Sequence, residues 1–253
     1  MDMLDIILAG VLVCLAGMAQ SAVGFGYALF ATPLLIWIGI PLPSVITLVA
    51  TCSMIQAIIG ARKIRAAVPW RLSLTATAIR LAGVIVGLFL LKRLVVLNPG
   101  QIRAVIGCTL CVLVAIQLLW RPHPVKTMHW GWAGLAFIGS GLLAGVCGMG
   151  GPPLVLWSMA HDWSTQRTRG FLFAVFATSI PVQILLLGLT FGTSILWNVA
   201  LGIAFLPLVY LGTVVGLPIG NRMAKDKLRR IAYAILLVIG VIAVVPVILA
   251  QLK

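Results

Sequence analysis

Acidic side chains are nearly missing from this chain. Asp2, Asp5, Asp162 and Asp226 are the four carboxylates among 253 residues, against 18 Lys and Arg. Charged residues of both signs make up 9% of the sequence, whereas soluble domains carry about 25%. With 62% hydrophobic residues and a mean hydropathy of +1.19, that shortage excludes a soluble globular fold. Metal-binding residue types are equally thin: His123, His129 and His161 are scattered, and no metal site is expected. Cys14, Cys52, Cys108, Cys111 and Cys147 fall inside apolar runs, which suits packing and rules against a disulfide framework. Cys108 and Cys111 form a C-x-x-C, but it lacks the second pair or the neighbouring His that metal or redox chemistry needs. There is no P-loop, and no cofactor is expected.

What the chain has is long apolar runs. They fall at about 6–22, 27–40, 43–61, 72–91, 104–120, 130–147, 152–160, 170–191, 195–219 and 231–250. The runs at 27–40 and 152–160 are too short to span a bilayer, and each follows a glycine cluster. Residues 6–40 and 130–160 therefore read as broken elements, each two part-length helices meeting at a turn inside the protein. The expected fold is an all-α polytopic membrane protein with about eight to ten segments. Pro181, Pro207 and Pro246 are expected to kink their helices. Trp70, Trp130, Trp132, Trp163 and Trp197 stand at segment ends as interface anchors.

The basic residues sit in the gaps between runs, so the net charge of +14 reflects membrane topology and not a nucleic-acid partner. Placing the amino terminus outside puts 13 of them in cytoplasmic loops, at 62–71, 121–129, 161–169 and 220–230. The outside receives Lys92, Arg93, Arg103 and Lys253, and Arg80 is left within the membrane. The positive-inside rule then predicts a bacterial inner-membrane protein with both termini periplasmic. The Met1-Asp2-Met3-Leu4-Asp5 start lacks the positive charge of a signal peptide and is expected to be retained.

The two halves resemble each other. Gly17, Gly24 and Gly26 recur 124 positions on as Gly141, Gly148 and Gly150, and Thr51, Gln56 and Trp70 recur 127 positions on as Thr178, Gln183 and Trp197. Five passes per half start the second half on the opposite side, so residues 1–125 and 126–253 are expected to be inverted repeats. Each would hold a broken helix hairpin plus three further transmembrane helices.

That arrangement points to an anion. Helices starting near Tyr27 and Pro152 would aim free N–H groups and positive dipole ends into the interior from opposite sides. The candidate residues are Gln20, Gly24, Phe25, Gly26 and Tyr27 at the first break, and Gly148, Met149, Gly150 and Gly151 at the second. Close helix packing, as expected at Gly83-x-x-x-Gly87 and Gly212-x-x-x-Gly216, is the alternative for the glycines, and their paired placement in both halves favours the anion site. Arg80, central in its run and without an acid in any apolar segment, needs helix carbonyls or a bound anion to satisfy it. Thr51, Gln56, Thr178, Ser179 and Gln183 can donate to an anion while neutral. Arg167 and Arg169 are ordinary loop residues or part of a positive mouth. With no carboxylate in the membrane, any coupled proton is expected to travel on the substrate.

These break sequences resemble the TauE/SafE family of sulfite exporters along nearly the whole chain. The second copy of a motif like G-x-x-x-G-x-x-G-x-G-G followed by proline matches at Gly141, Gly145, Gly148, Gly150, Gly151 and Pro152. The first is degenerate: Gly17, Gly24, Gly26 and Pro33 fit, while Ser21 and Tyr27 stand in place of glycines. The resemblance implies a non-enzymatic secondary transporter for a sulfur-containing anion, sulfite or a small organosulfonate such as sulfoacetate. Its partners would be that anion and the lipid bilayer. An anion channel and a membrane-embedded enzyme acting on a sulfur species are the alternatives.

Overall fold

The chain is described by a computed structural model over residues 3–23, 26–119, 129–222 and 225–251. Gly24 and Phe25, two of the candidate residues, lie outside the described residues, as does His123. A bilayer offers the backbone no water, so apolar runs satisfy their own N–H and C=O groups as helices. Eleven α-helices result among the described residues: α1 (Met3–Val23), α2 (Tyr27–Trp37), α3 (Leu42–Lys63), α4 (Trp70–Leu94), α5 (Pro99–Leu119), α6 (Trp130–Cys147), α7 (Gly151–Met159), α8 (Thr165–Phe191), α9 (Ser194–Ala204), α10 (Leu206–Arg222) and α11 (Lys225–Gln251). Prolines mark several starts, at Pro41 and Pro43 of α3, Pro69 before α4 and Pro152 in α7, where a missing N–H costs nothing. Six helices are long and apolar enough to cross a membrane, and the α9–α10 pair makes a seventh. This is a multi-pass membrane protein.

One expected segment is divided. The run 195–219 forms two helices bent by 43° around Phe205. Pro207 has no N–H for the preceding turn and its ring crowds the carbonyl four residues back, so the helix restarts there. Pro181, in contrast, lies inside α8, which continues past it unbroken.

Glycines set the closest helix contacts. α4 packs on α6 so tightly that a methyl carbon on Gly83 or Gly87 would run into the backbone at Ile138 or Leu142, and one on Gly141 into the carbonyl of Arg80. α1 and α10 approach in the same manner, Gly212 against Cys14 and Gly216 against Met18, with Gly17 facing Val209. The packing explanation therefore holds for Gly17, Gly141 and Gly145. α5 lies along α11 through Gly107 and Gly240, and α3 along α8 through Gly60 and Phe173.

The second broken element folds back. Trp157 on α7 meets Phe137 on α6 edge-on at 4.9 Å between ring centroids, which sets the end of α7 beside the first half of α6. At the opposite side, the carbonyl of Trp37, where α2 ends, accepts a 3.4 Å hydrogen bond from Arg103 near the start of α5. Arg103 thus stands at the negative end of α2, where a cation is stabilising. Trp70, Trp130, Trp132 and Trp197 are exposed at helix ends, consistent with anchoring, while Trp163 is partly covered by other rings.

Candidate functional site

The second break is built around Gly148. It adopts φ 74°, a left-handed conformation that favours glycine, and its N–H returns to Ala144 O at 3.1 Å while the Met149 N–H reaches Leu143 O at 3.3 Å. This pair of bonds ends α6 and turns the chain sharply into α7, whose first residues are Gly151 and Pro152. Gly150 precedes α7 in an ordinary right-handed conformation, so its lack of a side chain matters for a different reason. A Cβ there would come within 2.5 Å of Ser140 O and 3.0 Å of the Arg80 guanidinium.

Arg80 is the centre of the arrangement. It projects from the middle of α4 and is 2% exposed. Its Nε donates to Ser140 Oγ on α6 at 3.1 Å, another guanidinium nitrogen donates to Ser179 Oγ on α8, and its carbon sits 5.7 Å from the Phe176 ring centroid. The two serines keep their acceptor lone pairs for the arginine by donating elsewhere, Ser140 to Gly150 O at 2.5 Å and Ser179 to Val175 O at 2.6 Å. No carboxylate among the described residues acts on the guanidinium. A full positive charge is thus buried among neutral dipoles beside the first turn of α7, whose free N–H groups add positive potential. The electrostatics of the place favour a small anion over a cation.

Around this centre the other expected residues divide. Thr178 shares a 2.7 Å hydrogen bond with Thr77, one turn before Arg80 on α4, and donates to Ala174 O. Gln183 is buried and donates to Ala144 O at 3.0 Å, so it holds the end of α6 in place. Met149 is fully buried and Gly151 faces open space. Thr51 is turned back on its own helix through Thr47 O and packs against Gly202, while Gln56 is half-buried on α3.

At the first break Gly26 caps α2 at φ 96° and Tyr27 opens the helix. Tyr27 is 3% exposed with its hydroxyl unpartnered among the described residues, close to the thiols of Cys52 and Cys14. The Gln20 carbonyl oxygen and the Thr32 hydroxyl are buried and unpartnered too. Thr32 nonetheless lies near the second break, 3.6 Å from where a Gly148 Cβ would stand.

Two residues of the site, Ser140 and Thr77, are absent from the expectations drawn from sequence. Ser140 is the single hydroxyl of α6, and Thr77 shares a face with Arg80 three residues on. Those two facts are the available signals.

No curated protein and no solved structure matches this chain. The family model described as sulfite exporter TauE/SafE matches residues 8–243, and with nearly its whole length covered the chain belongs to that family of membrane transporters.

Proposed function

We propose that the protein is a secondary transporter for a sulfur-containing anion, sulfite or a small organosulfonate, and that Arg80 holds the anion between the two helix breaks. The observation that carries this reading is a buried guanidinium without a carboxylate partner among the described residues, bracketed by Ser140 and Ser179 and facing the start of α7. An unneutralised charge in the middle of a membrane helix costs about 2.5–3.5 kcal/mol on insertion scales, and a bound anion offsets that cost. Gly150 and Gly151, with Tyr27 and Gly26 opposite, supply backbone and hydroxyl donors, and Thr178 and Gln183 keep the surrounding helices in register.

The halves 1–125 and 126–253 act as inverted repeats in this reading. Pairing of α4 with α6 and of α1 with α10, both through glycines, supports it, because α1 corresponds to α6 and α4 to the bent α9–α10 pair. Arg80 is sealed from solvent, which suits an occluded state between openings to either side. The end bearing Arg62, Lys63, Arg65, Arg167 and Arg169 faces the cytoplasm of a bacterial inner membrane, and both termini face the periplasm.

The test is thermal stabilisation of detergent-purified protein by sulfite, sulfoacetate, thiosulfate and chloride, with counterflow of labelled sulfite in proteoliposomes. Stabilisation by a sulfur oxyanion over chloride, with saturable counterflow, is the expected result. Saturation and counterflow also exclude a channel. No stabilisation by any sulfur anion would overturn the assignment.

A further inference from the structure

Arg80 shares its helix face with Thr77 and Ser73, one and two turns nearer the Trp70 start of α4, the end that follows the basic stretch 62–65. Ser73 is fully buried and its hydroxyl has no partner among the described residues. That is unusual in this protein, where Thr47, Thr51, Thr178 and Ser179 all donate to the carbonyl one turn back. Trp157 on α7 has the same property: the residue is 8% exposed and its indole N–H is buried and unpartnered. It packs with Phe137, Leu154 and Phe171 in a cluster that takes in Leu72 and Ala76, α4 residues on either side of Ser73.

Beyond Trp157 the chemistry continues toward the basic surface. The rings of His161 and Trp163 lie 4.2 and 5.6 Å from Trp157, and the Arg167 guanidinium stands 5.0 Å over Trp163. A surface groove of about 360 Å³ opens there between Ala66–Pro69 and the Ser164–Arg167 turn. Two buried donors, neither with an acceptor among the described residues, stand between a groove edged by Arg167 and the buried Arg80, and suit a ligand that brings its own acceptor oxygens and does not stay. Neutral donors bind an oxyanion weakly enough to release it.

We infer that the anion passes between the basic face and Arg80 along Ser73 and Thr77 of α4. The Trp157 N–H and the Ser73 hydroxyl donate to its oxygens in transit, and the clustered Trp157, Phe171 and Trp163 rings, packed edge-on and tilted, close the route in this conformation. The inference rests on the transport reading above and names its path on one side.

Ser73→Cys, reconstituted in vesicles and treated from one face with a membrane-impermeant maleimide, tests it, the label at position 73 being read by peptide mass. Labelling from the basic face, accelerated when sulfite is turning over, is the expected result. Sulfite transport with labelling from neither face, or from the opposite face, would overturn the route while leaving the transport reading intact. If no sulfur anion binds or moves, the transport reading falls and the route falls with it, whichever face labels the introduced thiol. Trp157→Phe keeps an aromatic ring and removes the N–H. It is expected to slow sulfite transport about three- to tenfold with thermal stabilisation by sulfite unchanged, and unaltered transport would remove Trp157 as a donor.

Discussion

The two helix breaks are made of the same residue type and do different things. At the second, Gly148 supplies the left-handed turn and Gly150 supplies room, and the space so cleared holds a cation with two hydroxyl partners. At the first, Gly26 supplies the left-handed turn, although by sequence offset it corresponds to Gly150, and the polar groups near it are an amide, two hydroxyls and thiols without a charge. The contrast extends to the supporting helices. α4 runs straight through Arg80, while its counterpart bends by 43° beside Pro207, near the corresponding position. In the proposed reading the two breaks are held to different tasks, one side carrying the anion's charge and the other completing its enclosure.

The largest effect that separates the two sides is expected at Arg80. Arg80→Gln removes a charge-assisted pair of hydrogen bonds to the ligand and should weaken sulfite stabilisation by about 10- to 100-fold, abolishing detectable counterflow. Arg80→Met adds a second reading, since replacing an uncompensated buried charge by an apolar side chain of similar length should raise thermal stability without anion by about 1–4 kcal/mol. Sulfite binding that survives Arg80→Gln undiminished, or a loss of stability in Arg80→Met, would make Arg80 a structural residue and the breaks equivalent after all.

Gly150→Ala and Gly26→Ala should then fail for unlike reasons. Alanine at position 150 pushes on Ser140 O, Ala144 and the guanidinium, so a loss of about 1–3 kcal/mol is expected together with weaker anion binding. Alanine at position 26 meets nothing closer than 3.7 Å, and its cost is the left-handed backbone alone, about 1–2 kcal/mol, with anion affinity retained. Gly151→Ala, facing open space, is the control, and thermal melts with and without sulfite separate the three.

A smaller difference is expected between Thr178→Val and Thr51→Val, which the sequence pairs 127 positions apart. Thr178 bonds to Thr77 across helices, so its loss strands a partly buried hydroxyl and should cost about 1 kcal/mol. Thr51 bonds only to its own helix, and valine fills the same volume against Gly202, leaving stability within about 0.5 kcal/mol. Equal effects would show that the hydroxyl bridge between α4 and α8 carries no weight.

Much of this is legible in the sequence because membrane helices are written in composition. Nine of the ten apolar runs each fall in one helix, although α5, α8 and α11 start at Pro99, Thr165 and Lys225, more than a turn ahead of the apolar run. The second broken element is marked by Gly148-Met149-Gly150-Gly151 ahead of Pro152. Arg80 stands out for the same reason, a lone charge in an apolar stretch. Its partners do not, because Ser140 is 60 residues from Arg80 and Ser179 is 99. Pairings at that separation follow from how α4, α6 and α8 are packed, and the glycines that set the packing look identical in sequence to those that make the turns. Gln183 shows the converse: recurrence with Gln56 marks it as a ligand candidate, whereas its amide is engaged with Ala144 O. The full break at Phe205 is harder to read, because a proline can be absorbed, as Pro181 is in α8, or can split a helix, as at Pro207, according to what the neighbouring helices offer.

The finest test of the comparison is Tyr27→Phe. The hydroxyl is buried beside thiols and lacks a partner among the described residues, so without an anion its removal relieves an unmet hydrogen-bonding need and should raise stability by about 0.5–1 kcal/mol. If the first break completes the anion's enclosure, the same change should weaken sulfite binding by about threefold, far less than any change at Arg80. Stability and affinity then move in opposite directions, a signature that a packing residue does not produce. A variant that is more stable and binds sulfite undiminished would place the whole anion on the Arg80 side and reduce the first break to a hinge.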